Sequence, residues 1–424
     1  MEAIYIKNAN QLITVSGASQ APKKGRQMSE LGIIENGGLV LRDGVIAFVG
    51  PREEAERYID SLSVEPFVLD ATGKIVTPGL VDPHTHVVFA GSREQEWEKR
   101  LQGASYMEIL QQGGGILFTT KQTRAASEEQ LFEESKKRLD RFLLYGVTTL
   151  EAKSGYGLTV EDELKQLRVA RQLDQRHPVD VVSTFMGAHA VPIEYQSDPE
   201  AYVSLVIDVM LPKVAQEGLA EFCDVFCEKG VFTVEQSERI LEAGKKAGLK
   251  PKIHADEIVP FGGAELAAWV GAVSADHLLK ASDQGIQEMT KAGVIAVLLP
   301  GTAFFLKEEA AKARKMIEAG LAVALSTDRN PGSSPTESLP LIMNLACVNM
   351  RMSPAEVLVA ATINAAHAIG RAEQVGSLEK GKKADVVLFD APNYAYLQYN
   401  FGVNLVDTVI KNGQVVVKGG TLCV

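Results

Sequence analysis

Two histidines separated by one residue, His84 and His86, stand near the end of an apolar, β-rich stretch that runs from Val76 to Ala90. Residues i and i+2 of a strand point to the same face, so the two imidazoles should project side by side. Neutral imidazole binds zinc and iron well, and such a pair can supply half of a metal site. Two neighbouring core or surface histidines are the simpler alternative. We favour the metal site because further candidate ligands recur at later strand ends.

Ionisable residues follow or end several of the strands predicted downstream. They are Glu151, Lys153, His189, His254, His277 and Asp328. Active-site groups of a (β/α)8 barrel lie at the C-terminal ends of its strands, whereas packing alone would place histidines at both ends. His177 lies in a predicted loop and His367 in a helix-like run, so neither is expected in the site.

These positions predict a mononuclear, catalytic metal centre. Its ligands would be His84, His86, His254 and Asp328. If the ion accepts a fifth ligand, that position can be taken by a water molecule. The ion lowers the pKa of such a water toward neutrality. Glu257 follows a ligand by three residues and could move protons between that water and a leaving nitrogen, although a solvated loop acid is the alternative. His277 could hold the hydroxide or orient Asp328.

The middle of the chain, about residues 78–365, alternates strand-like and helix-like segments. With the strand at His84 there are eight predicted strands over roughly 285 residues, which matches a (β/α)8, TIM-like barrel of the α/β class. A doubly wound open sheet is the rival. It would need a Gly-rich phosphate loop after its first strand, but Gly113–Gly115 follows no strand and is interpreted as a mobile loop near the barrel mouth.

Both ends of the chain are rich in short strands. Asp43-Gly44 and Asn412-Gly413 each stand between apolar runs, which is a strong hairpin signal. We therefore predict that residues 1–77 and 366–424 build one small β-sandwich domain, and that residues 78–365 form the catalytic barrel.

The composition limits the partners. A formal charge of −11 disfavours nucleic acid and anionic membranes, and an anionic substrate would need a local Arg or Lys. No signal peptide is visible, and no apolar stretch approaches the ~20 residues of a membrane span, so a cytoplasmic location is predicted. Four scattered cysteines do not form a disulfide framework. Three of them, Cys223, Cys227 and Cys347, are predicted to be core thiols.

Together, the His-x-His strand, His254, His277 and the segment Ser326-Thr-Asp328 resemble the amidohydrolase superfamily over nearly the whole chain. Further segments resemble, more specifically, the imidazolonepropionase family. They are residues 84–93, 113–116, 153–157, 186–190, 254–257 and 327–333. The resemblance implies hydrolysis of the ring amide of 4-imidazolone-5-propanoate to N-formimidoyl-L-glutamate in histidine degradation.

The resemblance also implies which residues contact this anionic substrate. They are Arg93, Tyr106, Tyr156, His189, Glu257, Asn330, Gly332 and Ser333. Arg93 would hold the propionate, and His189 could polarise the ring carbonyl as negative charge develops on it. Local hydrogen bonding at the pocket rim is the alternative for Tyr106, Tyr156 and Ser333.

Several alternatives stay open at this stage. One metal ion, Zn²⁺ or Fe³⁺, is favoured over a pair bridged by a carboxylated lysine, for which only Lys229 lies near the end of strand four. Arg329 receives no role. A homodimer is implied by the resemblance. The competing functions are a related guanine- or cytosine-type nucleobase deaminase and a non-catalytic scaffold.

Overall fold

The computed structural model describes residues 3–63, 65–103 and 114–423. The strands are β1 (Ala3–Ile13), β2 (Ile33–Arg42), β3 (Val45–Pro51), β4 (Phe67–Asp70), β5 (Ile75–Pro78), β6 (Leu80–Asp82), β7 (Val147–Lys153), β8 (Asp180–Ala188), β9 (Phe222–Cys227), β10 (Lys250–Ala255), β11 (Ser274–His277), β12 (Ile295–Leu298), β13 (Ala322–Leu325), β14 (Val386–Phe389), β15 (Val406–Lys411), β16 (Gln414–Lys418) and β17 (Thr421–Leu422). The helices are α1 (Arg52–Asp60), α2 (Glu94–Leu101), α3 (Ile116–Ala125), α4 (Glu128–Leu144), α5 (Val160–Arg176), α6 (Pro199–Leu205), α7 (Leu211–Glu217), α8 (Val234–Lys246), α9 (Gly263–Trp269), α10 (Asp283–Ala292), α11 (Pro300–Leu306), α12 (Ala313–Glu318), α13 (Leu339–Met350), α14 (Pro354–Ala360), α15 (Ile363–Ala368) and α16 (Tyr394–Tyr399).

Strands β6 to β13 form one parallel sheet of eight strands, in which each strand pairs with the next along the chain. At least one helix lies between each pair of successive strands, and β7, β12 and β13 are buried along their whole length. β12 and β13 are continuous apolar runs, as is usual for parallel strands covered on both faces, whereas β7 also buries the charged residues Glu151 and Lys153. The predicted (β/α)8 class is confirmed. Within the described ranges, no helix is long and apolar enough to cross a membrane.

The first and last barrel strands meet through the residues that follow them. Asp82 accepts hydrogen bonds from Thr327, through the backbone N–H at 3.2 Å and the hydroxyl at 2.7 Å, and from the Ser326 hydroxyl. The backbone N–H of Asp328 then donates to the carbonyl of His84 at 3.1 Å. These hydrogen bonds join the first and last strands of the barrel. They bring His84 and His86, which follow the first strand, close to Asp328, which follows the last.

The remaining strands form a nine-stranded sheet from both termini, joined where β14 pairs antiparallel with β5. One apolar cluster contains Leu39 and Ile46 from one end of this sheet and Val386 and Ile410 from the other, so the sheet folds over its own core. The two predicted hairpin turns are present: Asp43 and Asn412 adopt left-handed conformations, with φ of 54° and 50°. Gly79 alone separates β5 from β6, and the domain boundaries stay a prediction.

Two segments differ from the sequence prediction. The stretch from Val76 to Ala90 is not one strand, because β6 ends at Asp82 and Pro83 cannot donate a ladder hydrogen bond. The histidine pair therefore lies just past the strand. The amphipathic pattern of residues 307–319 also predicts one helix, but only Ala313–Glu318 are helical there, because Lys307 turns left-handed with φ of 61° and ends α11.

Candidate metal centre and active-site pocket

Three imidazoles and one carboxylate converge at the C-terminal mouth of the barrel. One nitrogen from each of His84, His86 and His254 lies within 4.8 Å of the other two. Oδ1 of Asp328 lies 3.4 Å from Nε2 of His84 and 4.0 Å from Nε2 of His86. All four residues are at most 3% exposed. The structure thus brings together the four residues that the sequence predicts as ligands.

The hydrogen bonds of two of these histidines show which nitrogen is free. Nδ1 of His84 lies 2.6 Å from Oδ2 of Asp276, and Nδ1 of His254 lies 3.1 Å from Oδ1 of Asp224. Because a carboxylate accepts, Nδ1 carries the proton on each ring, and Nε2 presents a lone pair. Both Nε2 atoms are buried without a hydrogen-bond partner among the described residues. Such orphaned lone pairs, each backed by a carboxylate, fit a bound metal ion.

Burial keeps the imidazoles in the form that binds metal. Removal from water, reinforced by the nearby ammonium of Lys153, lowers the pKa of His84 well below its usual range. Burial and the neighbouring His189 do the same to the pKa of His86. Neutral rings need no proton release before they coordinate an ion.

The carboxylate of Asp328 is held from a second side. The hydroxyl of Thr302 donates to its Oδ2 at 2.5 Å, and the backbone at Asp328 is left-handed with φ of 51°. His277, at the end of β11, has φ of 73°. Non-glycine residues in this conformation are uncommon and cluster at functional sites, where the fold over-determines them.

Glu257 lies beside the cluster on the loop between β10 and α9. Its neighbour Asp256 accepts four backbone N–H groups at the start of α9, which fixes the loop. Nδ1 of His277 lies 3.6 Å from Oε2 of Glu257. Burial, with smaller contributions from Asp328 and Glu228, raises the pKa of Glu257 to about 8. A carboxyl poised near neutral pH is suited to accept and donate a proton in turn.

A cavity of about 300 Å³ opens in front of the cluster. The predicted site residues that line it are His86, Arg93, Tyr156, His189, His254, Glu257, His277, Asp328, Asn330, Gly332 and Ser333. Ile116, Phe226, Ile258 and Leu306 add apolar walls. Tyr106 and Gly113 lie outside the described residues. The volume is at the lower end for small-molecule sites, which suits a compact substrate.

Arg93 enters this cavity from the start of α2. Glu96 binds its Nε at 2.9 Å and its Nη2 at 2.5 Å. The remaining Nη1 faces the loop after β13 so closely that a Cβ at Gly332 would collide with it. Glycine at this position therefore leaves space in which Nη1 can reach a ligand.

His189 lies flat against His86, with ring centroids 4.8 Å apart and planes 11° apart. Its Nδ1 lies 3.0 Å from the carbonyl oxygen of Gly155, which can only accept, so this nitrogen carries the proton. Burial, then the nearby His254, lowers the pKa of His189 to about 3, and the ring is neutral. Nε2 is therefore an acceptor. This tautomer disagrees with the predicted oxyanion role, for which Nε2 would have to donate.

The loop after β13 is organised by one amide. The Asn330 side chain donates to the carbonyl of Asp328 at 2.8 Å and accepts from the N–H groups of Gly332 and Ser333, both at 2.8 Å. Asn330 thus shapes the pocket wall. Arg329 points elsewhere and pairs with Glu337 at 2.8 Å, and Lys229 is exposed.

Comparisons with known proteins agree with this geometry. The model of the amidohydrolase family matches residues 75–416. An imidazolonepropionase of Shouchella clausii (strain KSM-K16) is 68% identical over 421 residues, which cover 99% of this chain and 94% of that protein. An imidazolonepropionase of Geobacillus sp. (strain WCH70) is 65% identical, with complete coverage of both chains. The chain belongs to the amidohydrolase family and, within it, to the imidazolonepropionases.

Solved structures of other enzymes, at low sequence identity, show the same fold. An adenosine deaminase of Xanthomonas campestris with bound zinc superposes with a TM-score of 0.73 at 17% identity, over 99% of this chain and 94% of that one. A triazine hydrolase of Arthrobacter aurescens gives 0.73 at 17% identity, over 100% and 96%. Family membership and the orphaned imidazole nitrogens together make this protein a metal-dependent hydrolase.

One part of this amidohydrolase site was missed from the sequence. Asp224, Lys252 and Asp276 are fully buried beneath the metal-ligand cluster, and Lys153, though noticed, received no role. A signal was present, because a charged residue inside an otherwise apolar strand needs a buried partner. Of the predicted core thiols, Cys223 and Cys227 are buried on β9, while Cys347 is half-buried.

Proposed function

We propose that the protein hydrolyses the ring amide of 4-imidazolone-5-propanoate to N-formimidoyl-L-glutamate, a step of histidine degradation, with one metal ion per chain. The observation that carries this proposal is the pairing of a His/Asp metal cluster with Arg93 in a single cavity of about 300 Å³. The cluster suits hydrolysis of an amide, and the arginine suits a small substrate with a carboxylate.

His84, His86, His254 and Asp328 would hold the metal. Three imidazoles and one carboxylate suit both Zn²⁺ and Fe³⁺, so either ion fits the donor set. When bound, such an ion lowers the pKa of coordinated water toward neutrality and polarises a carbonyl oxygen. The carboxylates of Asp224 and Asp276 keep the histidine rings of His254 and His84 oriented toward it.

Glu257 would move the proton. Hydrolysis adds water to the ring carbonyl carbon, breaks its bond to the adjacent ring nitrogen and leaves that nitrogen with one more hydrogen. A carboxylate of Glu257 can take the proton from water and return it, as the acid, to the departing nitrogen. Its side chain is 15% exposed and lines the cavity, and Oε2 lies 3.6 Å from Nδ1 of His277, so the carboxyl can reach a substrate in front of the ligands.

The rest of the pocket would orient the substrate. Nη1 of Arg93 would bind the propionate, with the phenol of Tyr156 beside it. Burial raises the pKa of Tyr156 above its ordinary value, so the hydroxyl stays a donor. The acceptor Nε2 of His189 would receive a ring N–H, and this assignment replaces the oxyanion role predicted from the sequence.

A two-substrate assay on metal-analysed protein tests the proposal. Freshly generated imidazolone propionate should lose its ultraviolet absorbance rapidly, with about one metal ion per chain. Guanine and cytosine should release no ammonia, because neither offers a carboxylate to Arg93. Release of ammonia from guanine or cytosine, together with no loss of imidazolone propionate, would instead favour the deaminase alternative.

Replacing Arg93 with Gln should raise KM and lower kcat/KM by roughly 10- to 150-fold, because a hydrogen bond to a charged group contributes about 1.5–3 kcal/mol. The effect should vanish with a substrate analogue whose carboxylate is esterified. Steady-state kinetics with both substrates measures the difference.

The matched control is Arg52→Gln. Arg52 also pairs with a glutamate on its own helix, Glu56 at 2.7 Å, but it lies in the terminal sheet domain. Its replacement should leave both kinetic constants unchanged. An equal loss for the esterified analogue in Arg93→Gln would reject the carboxylate contact.

A further inference from the structure

A cluster of five charged side chains lies directly beneath the metal-ligand candidates. Its members are Glu151, Lys153, Asp224, Lys252 and Asp276, and the side chain of each is 0% exposed. With neutral histidines, two ammonium groups face three carboxylates. Charges buried to this degree persist only when they are paired and hydrogen-bonded.

Lys153 lies at the centre of the cluster and contacts all three acids. Its Nζ lies 2.6 Å from Oδ2 of Asp224, 2.9 Å from Oε2 of Glu151 and 3.3 Å from Oδ2 of Asp276. Burial alone would lower the pKa of this lysine, but the three acids, led by Asp224, raise it above its ordinary value. The three contacts therefore favour the ammonium form of Lys153.

Lys252 differs from Lys153 in its contacts although it is equally buried. Its Nζ lies 2.8 Å from Oε1 of Glu151 and 3.2 Å from the carbonyl oxygen of Pro83. Among the described residues, Lys252 makes no ion pair with Asp224 or Asp276. Of these two lysines, it is Lys153 that joins the two acids that orient the metal-binding histidines.

The three acids around Lys153 have the composition of a metal site. Glu151 and Asp276 form one potential ligand group with His84, and Asp224 and Asp276 form another with His254. Three buried carboxylates would repel one another strongly without a cation among them. The ammonium of Lys153 therefore stands where such a group of ligands would otherwise hold an ion.

We propose that Lys153 is a built-in cation that replaces a second metal ion and limits the centre to one ion per chain. The inference rests on the proposed function, since it presumes that the four ligands above hold the first ion. Lys153 acts as a positioning residue. It holds Asp224 and Asp276, and through them the free Nε2 atoms of His254 and His84.

Lys153→Ala should open a second ion site, because it removes the cation and its volume together. Mn²⁺ is the probe because it prefers carboxylate oxygens to imidazole nitrogens as ligands. Zinc-loaded proteins would be equilibrated with Mn²⁺ and both ions counted per chain. Wild type should bind one zinc and no stoichiometric manganese, whereas Lys153→Ala should bind one of each, with manganese affinity at least tenfold higher than in wild type.

Two controls make the result specific. Lys252→Ala removes an equally buried lysine and should gain no manganese. Adding Glu151→Gln to Lys153→Ala should abolish the manganese site. If Lys153→Ala folds and binds no manganese while wild type holds its zinc, the inference is overturned and the proposed function stands. If wild type holds no zinc, the proposed metal centre itself fails.

Lys153→Ala could also fail to fold in metal-free buffer, because it leaves three buried acids against one lysine. In that case Mn²⁺ or methylammonium, two cations small enough for the vacated space, should restore folding during dilution from denaturant. The bulky choline cation should not. Equal recovery with all three, or recovery with none, would overturn the inference.

Discussion

Glu257→Gln is expected to leave the metal bound and to lower kcat by about 10²- to 10⁴-fold, the usual contribution of a positioned general acid–base. The amide keeps the size of the carboxyl but cannot take up a proton from water. Because Glu257 is not among the four ligands, metal content by elemental analysis should equal that of wild type. Single-turnover kinetics would place the loss on the chemical step.

The same residue predicts a pH dependence. A base must be ionised to act, so kcat/KM should rise with pH through the pKa of Glu257. Burial raises that pKa to about 8 in the protein alone, and a cation held by the neighbouring ligands favours the carboxylate and lowers it. The rise should therefore lie at or below pH 8, and it should be absent from Glu257→Gln.

Glu265→Gln is the matched control for this variant. Glu265 lies on the following helix, α9, and accepts a hydrogen bond from Ser282 at 2.5 Å outside the cavity. Its replacement should leave both the rate and the pH profile unchanged. Wild-type turnover in Glu257→Gln would end the assignment of Glu257 as the proton carrier.

Much of the site could be predicted because barrel topology converts sequence position into spatial position. Residues that follow the parallel strands gather at one rim of the barrel, where their side chains can meet. His86 and Asp328, more than two hundred positions apart in sequence, therefore share a cavity. The hairpins at Asp43 and Asn412 could be predicted as well, because a turn depends on only two or three neighbouring residues.

The features that could not be predicted depend on contacts between distant segments. Nothing next to Lys153 in sequence indicates that its ammonium meets Asp224 and Asp276, which lie on two other strands. The tautomer of His189 likewise depends on the carbonyl of Gly155, in a different loop. The strand before His84 is shorter than its apolar run predicts, because past Pro83 the buried backbone makes only an isolated bridge, between Thr85 and Arg329, instead of a continuous ladder.

The four-ligand cluster makes one further prediction, on removal of the metal. Chelation should lower activity by roughly 10³-fold or more, because a Lewis acid stabilises the charge of the transition state by several kcal/mol and this stabilisation is lost with the ion. Returning Zn²⁺ or Fe³⁺ should restore it and show which ion serves. Since the ion binds only the folded chain, free metal at about 1,000 times its dissociation constant should also stabilise the protein by about 4 kcal/mol.

Histidine variants separate the metal site from general effects of metal on the protein. His86→Gln removes one ligand and should abolish both the recovery of activity and the stabilisation by added metal. His367→Gln removes a histidine whose Nε2 instead lies 2.7 Å from the carbonyl oxygen of Ala18, and both responses should persist. Because unfolding with and without metal is compared within each variant, a folding defect cannot imitate the loss of a ligand. A metal-dependent shift that survives in His86→Gln would place the ion elsewhere.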